Sequence, residues 1–198
     1  MRMDCLLAGV GGQGTVLASR LIAQTAMELG FAAHTSETIG MAQRGGSVTS
    51  QVRLGGEGLA PSIPLRKADL ILGFEPAEVL RNFAYLKPQG AVVVNINPIR
   101  PVTSSLGQGY ALEQILEYIQ KHAGRTILVD GNALCTAAGS AKVLNVIMLG
   151  VLTQEKLLPF SRQQLLETML KHVPAKFKTL NEKAFNVGFA YKEDGDQA

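Results

Sequence analysis

"DCLLAGVGGQG", Asp4 to Gly14, is a short apolar run that breaks into a glycine-rich turn. An apolar run of this length bounded by a turn signal predicts a buried strand, here Asp4–Ala8. The residues that follow, Thr15 to Leu29, keep the period of a helix, and Gly30 supplies its stop. Strand, tight glycine turn and helix in that order begin an α/β unit.

The alternation continues downstream. "FAAHT" (Phe31–Thr35) is a second strand candidate. Val48, Ser50, Val52 and Leu54 alternate with Thr49, Gln51 and Arg53, which predicts a strand with one covered and one polar face. Ala68–Phe74, "GAVVVN" (Gly90–Asn95) and Thr126–Asp130 complete the strands. Helices are expected from Pro76 to Phe83, from Ala111 to Ala123 and from Lys142 to Leu152, with Pro76 suited to a first turn. The fold class is therefore α/β, a three-layer sandwich with a mostly parallel, mixed sheet. The mixture enters at Ser47, where a strand follows another without a helix between them. After Pro159 the pattern is helical only, and Phe177, Leu180, Ala184, Val187 and Tyr191 share one face. Residues 1–158 read as the α/β domain and 159–198 as its C-terminal helical extension, packed on the sheet layers or docked on a partner. The tail "KEDGDQA" is expected to fray.

Composition narrows the functional classes. The chain has 198 residues, 46% of them hydrophobic and 18% charged, which argues for a folded domain. Its net charge of +3 is spread without a basic run, so no nucleic-acid footprint is present. Low charge on an apolar chain suggests a surface covered by another protein. Cys5 and Cys135 both lie in apolar stretches and read as buried, reduced thiols. Two thiols fall short of the four that an iron–sulfur cluster usually takes, and no zinc-site spacing occurs. No run is long enough to span a membrane, and "MRMDCLLAGVGGQG" (Met1–Gly14) lacks a signal-peptide cleavage pattern. The expected location is cytoplasmic.

Gly9, Gly11 and Gly14 fit G-x-G-x-x-G between strand and helix, the context in which N–H groups of a helix start face an anion. Three readings stay open: a nucleotide site, a structural glycine turn and a partner contact. The first needs an acid for the ribose, and Glu37 lies 23 positions past Gly14. It would make the protein a stand-alone Rossmann-type NAD(P)-dependent dehydrogenase built on Gly9, Gly11, Gly14 and Glu37. Gln13 is expected at the exposed apex of the turn, with an amide donor and acceptor to offer.

"SETIGMAQRGGSVTSQVRLG" (Ser36–Gly55) crowds Glu37, Met41, Gln43 and Arg44 against Gly45 and Gly46. A hairpin needs only the glycines. Arginine suits bidentate recognition of carboxylate or phosphate, and flanking glycines let the backbone approach another surface closely. The turn reads either as a salt-bridged surface loop or as a loop that carries function by presenting Arg44 to another surface. Glu75 precedes a helix and suits its N-terminal dipole, while also standing at a strand's carboxyl end, where such sheets bind ligands. Asn95 and Asn97 follow the next strand, and Asp130 reads as a helix N-cap. Lys142 and Asn145 share a helical face and are expected to look toward one interface. His34, His122 and His172 lie in unrelated contexts and form no nucleophile–base set, so catalytic residues stay unassigned and no metal is expected.

"GVGGQG" followed by "ETIGMAQRGGSVTSQVR" (Glu37–Arg53) resembles the gamma-type domain of the 2-oxoacid:ferredoxin oxidoreductases, most closely its indolepyruvate small (beta) subunits. "ADLILGFEPAEVLRNFAYLKPQGAVVVN" from Ala68, "PIRPVTS" from Pro98 and "GSAKVLNVIMLGVL" from Gly139 agree with it. The resemblance implies a larger partner subunit carrying thiamine diphosphate and iron–sulfur clusters. Oxidative decarboxylation there yields carbon dioxide, acyl-coenzyme A and reduced ferredoxin, and the small subunit, inactive alone, completes the site. A heterodimer or a dimer of heterodimers is implied. Gly11, Gly12, Gln13, Gly14, Glu37, Met41, Gln43, Arg44, Gly45 and Gly46 would then be the cofactor-binding or subunit-interface residues, with Glu75, Asn95, Lys142 and Asn145 as further candidates.

Overall fold

The computed structural model describes residues 2–40, 45–56, 58–99 and 110–192. Met41, Gln43 and Arg44 lie outside the described residues. The elements run β1 (Met3–Val10), α1 (Thr15–Glu28), β2 (Ala33–Ile39), β3 (Ser47–Leu54), β4 (Ala68–Gly73), α2 (Pro76–Arg81), β5 (Leu86–Asn95), α3 (Leu112–His122), β6 (Arg125–Val129), α4 (Gly131–Ala138), α5 (Leu144–Gln154), α6 (Arg162–His172) and α7 (Lys178–Phe189).

The sheet order is β2-β3-β1-β4-β5-β6. β1, β4, β5 and β6 are parallel, and β3 runs antiparallel to both β1 and β2. This is the mixed sheet expected from the direct entry at Ser47. The strands alternate faces, as the period of two requires. Cys5, Leu7, Leu70, Leu72 and Val93 join a core with α1 and the later helices. Leu6, Ala8, Ile71, Val92 and Val94 pack on the other face against Val79 of α2 and Ile119 of α3. Helices therefore cover both faces, in three layers.

Two strands differ from the sequence expectation. β2 begins later than Phe31 and runs on to Ile39, pairing with β3 from Ala33 opposite Leu54 to Ile39 opposite Val48. As an edge strand it tolerates Thr35, Ser36, Glu37 and Thr38, whose polarity hides the strand in the sequence. β5 starts at Leu86 rather than Gly90, and its pairing with β4 shifts register between Ala68 and Leu70. Pro88, which has no N–H to donate, fits that irregular stretch.

The C-terminal helices pack back on the molecule. Gly188 of α7 crosses α5 so closely that a Cβ there would stand 2.0 Å from the Ile147 carbonyl oxygen. At α6, Thr168, Lys171 and His172 all reach the Glu28 carboxylate at the end of α1. Lys171 leads, with His172 and Thr168, in holding the Glu28 carboxyl down to about 2. Beneath β3, the buried Arg53 guanidinium forks onto both oxygens of Asp4, at 2.8 and 3.0 Å. The fork and two further bonds to the Ala60 and Ser62 carbonyls engage four of its five N–H donors.

Candidate functional site

The carboxyl ends of β1, β4, β5 and β6 form one crest, joined by the start of β3 and the end of β2. In open α/β sheets this is the edge where ligands and partners are met, at the point where connections leave in opposite directions. Here that point lies between β1, whose connection leads toward β2, and β4, whose connection leads toward β5.

Gly14 caps α1 at φ 80°, a left-handed conformation that a Cβ makes costly. A Cβ would also stand 2.8 Å from the Asn145 amide, buried beneath it on α5. No side chain caps the helix start. Gln13 departs from expectation. Its side chain folds inward, accepting from the Val10 N–H at 2.8 Å and donating to the Phe74 carbonyl at 2.8 Å. The amide thus fastens the glycine turn to the end of β4. The Gly11 N–H donates to the Gly46 carbonyl at 2.9 Å, so the glycine turn and the Gly45–Gly46 turn are adjacent. Gly45 has φ 72°, in the left-handed region that favours glycine.

Glu75 is buried and caps α2, accepting from the Glu78 N–H at 2.9 Å. Tyr110 donates its hydroxyl to the other Glu75 oxygen and accepts from the Ala77 N–H at 3.0 Å. Burial pushes the Glu75 carboxyl up, against the pull of the Tyr110 hydroxyl, and the Glu78 charge adds to the rise. Tyr110 is pushed up as well, by burial and then by its bond to Glu75. The equally buried Glu78 accepts from the Ser47 hydroxyl at 2.6 Å and from Arg81. Sequence reasoning passed over Ser47, Glu78 and Tyr110. The one available signal was the spacing of Glu78, in the first turn after the Glu75 cap.

Asn95 is a hub. It donates to the Phe74 and Asn97 carbonyls at 3.1 Å each and accepts from the Gly131 N–H at 3.1 Å. Asn97 accepts from the Asn132 N–H at 2.7 Å, and Asp130 caps α4 through the Ala133 N–H at 3.1 Å. Turn chemistry thus accounts for their bonds. Lys142 and Asn145 part company: Lys142 is exposed in the turn before α5, whereas Asn145 is buried under Gly14. A tight turn over 141–143 breaks the helical period that would have aligned them. Glu37 points to Arg20 on α1, with 3.5 Å between Nε and Oε1.

The crest offers amides, hydroxyls, two buried carboxyls and an uncapped helix start, and it lacks a base poised on a nucleophile among the described residues. Neither cysteine fits a cluster-ligand role. Cys5 is wholly buried in β1, Cys135 is buried in α4, and burial pushes both thiols up, away from the thiolate a metal takes. The described residues include no group of three His, Cys, Asp or Glu suited to a metal ion. No single helix among them is long and apolar enough to cross a membrane.

Comparison with known proteins converges on one family. Residues 4–191 match the model of the pyruvate ferredoxin/flavodoxin oxidoreductase family. The chain is 38% identical to indolepyruvate oxidoreductase subunit IorB of Pyrococcus horikoshii, over 93% of each chain. It is 37% identical to the subunit of the same name from Archaeoglobus fulgidus, covering 96% of this chain and 94% of that one. Among solved structures, the gamma subunit of a keto/oxoacid ferredoxin oxidoreductase from Geobacter sulfurreducens shares the fold, with TM-score 0.69, 24% identity and coverage of 96% and 95%.

The dehydrogenase alternative finds no support in these relatives, and the topology counts against it. β3 lies between β1 and β2. Glu37 is therefore set two strand spacings from β1, roughly 10 Å from where a ribose acid is needed, and it is engaged by Arg20.

Proposed function

Because this chain belongs to the pyruvate ferredoxin/flavodoxin oxidoreductase family, we propose that it is the small subunit of a 2-oxoacid:ferredoxin oxidoreductase acting on indolepyruvate or another aryl-pyruvate. The observation that carries the reading is similarity over more than nine-tenths of both chains to proteins named as subunits of indolepyruvate oxidoreductase. A larger subunit holds thiamine diphosphate and the iron–sulfur clusters. When bound there, thiamine diphosphate supplies the carbanion chemistry of decarboxylation. Electrons leave to ferredoxin, and coenzyme A takes the acyl group.

In this reading the small subunit acts by position. The Gly11–Gly14 turn, locked by Gln13, and the adjoining Gly45–Gly46 turn face the larger subunit across the crest. Met41, Gln43, Arg44 and Glu37 supply the contacts around them, and Glu75, Asn95 and Asn145 stiffen the floor. The complex is a heterodimer or a dimer of heterodimers in the cytoplasm, and the helical extension from residue 159 belongs to the same folding unit.

Arg44→Ala tests the contact. Native mass spectrometry or a sedimentation titration of the co-expressed pair should show assembly weakened by about tenfold, the loss of one charged hydrogen-bond set. Unchanged assembly, with unchanged turnover, would remove Arg44 from the interface.

A further inference from the structure

The end of the sheet opposite the crest holds a second concavity. The turn before β4, the residues joining α2 to β5, the start of β5 and the last turn of α3 line an open cavity of about 470 Å³. Pockets for small organic ligands have this size. One side of the lining is apolar and aromatic. Tyr118 meets the Phe83 ring edge-on at 5.5 Å and stacks with His122 at 4.1 Å. The lining also carries Arg66, Arg81 and Lys87, and no carboxylate among the described residues joins them.

The charges are not equivalent. Arg81 is paired with Glu78, and Lys87 with Asp69, whose other oxygen accepts the Asp4 N–H at 2.7 Å. Arg66 has no ion pair among the described residues. Its backbone is also unusual: φ is 59°, a left-handed conformation that costs any residue with a Cβ, held by its N–H on the Ala84 carbonyl at 3.0 Å. Strain of this kind, at a residue lining a cavity, is kept where the surroundings fix it. Among the described residues two of these cations are compensated and one is not, which leaves the cavity a single positive charge to offer. That balance fits a monoanion and leaves a polyphosphate short of partners.

We propose that this cavity binds an aromatic carboxylate, its ring against the Tyr118–Phe83 wall and its carboxylate on the Arg66 guanidinium. A guanidinium fork matches a carboxylate bidentately, and an aromatic edge-and-face wall suits a planar ring. The site lies at the amino ends of β4 and β5, away from the crest, and its test needs no partner subunit, so its outcome is separate from that of the reading above.

Calorimetric titration of the full chain decides it, with indole-3-acetate, indole, acetate and ADP as probes. Indole-3-acetate should saturate one site per chain, whereas indole and acetate, each carrying half of the recognition, bind at least about tenfold more weakly. Arg66→Gly, which removes the guanidinium and relaxes the left-handed backbone, should weaken indole-3-acetate by about tenfold or more while leaving the fold intact. Tyr118→Ala should weaken it through loss of the ring wall. The proposal is overturned by the absence of saturation up to about 10 mM. Equal affinity in Arg66→Gly, equal binding of indole, or tighter binding of ADP would overturn it too.

Discussion

Gln13 shows how a residue's neighbours decide its role. The sequence places it at the exposed apex of a turn; in the fold its amide spans Val10 and Phe74, and a Cβ at Gly9 would stand 2.8 Å from its Oε1. No spacing in the sequence announces that bridge, because Phe74 lies 61 positions away. Tyr110 escaped notice for the same reason, reaching back 35 positions to Glu75. Glu75 itself was legible as a cap, from its place before Pro76. Its burial has a consequence in pH. Below the ordinary carboxyl value of 4.5 the group is protonated in both folded and unfolded chains, and its contribution to stability is complete. As pH rises through 4.5 the unfolded chain ionises first, and that contribution is lost until the raised native value is passed. Glu75→Gln cannot ionise, and its single amide oxygen keeps one of the two acceptor bonds, from the Glu78 N–H or from the Tyr110 hydroxyl. Urea denaturation from about pH 4 to about pH 7 should therefore show the wild type losing stability relative to Glu75→Gln as pH rises. Parallel curves would show that Glu75 does not resist ionisation in the fold.

Elements were legible where their pattern was apolar and regular. β1, β4 and β6 are short hydrophobic runs bounded by turns, and α3 has a clear amphipathic face. β2 was cut short in the reading because an edge strand needs no apolar alternation on its open side. The fate of α6 and α7 was undecidable from their own periodicity, since an amphipathic face does not say what covers it. The close crossing of α7 over α5 answers that question. Glycine permits the backbones to touch there, and the neighbour is main chain that cannot turn aside. Gly188→Ala should force the helices apart and destabilise the fold by about 2 kcal/mol or more, read from the shift in denaturation midpoint. A loss below about 0.5 kcal/mol would mean that α7 contributes little to the folded unit.

The whole molecule is an α/β body with its glycine turn and the Gly45–Gly46 turn adjacent on one edge. The fold class and the crest were legible together, because strand–glycine turn–helix places the turn at a carboxyl end by construction. The pairing partners inside the crest were not, since they join residues far apart in sequence. What the crest faces is the central claim: a larger subunit that carries the redox chemistry. The direct measurement is turnover of an aryl-pyruvate by the purified chain alone, with NAD or NADP, and then by the chain mixed with the larger subunit, coenzyme A and ferredoxin. No turnover is expected from the chain alone, and ferredoxin reduction should saturate as the small subunit is added to the large one. Nicotinamide-linked oxidation by the isolated chain, or full activity of the larger subunit without it, would contradict the account.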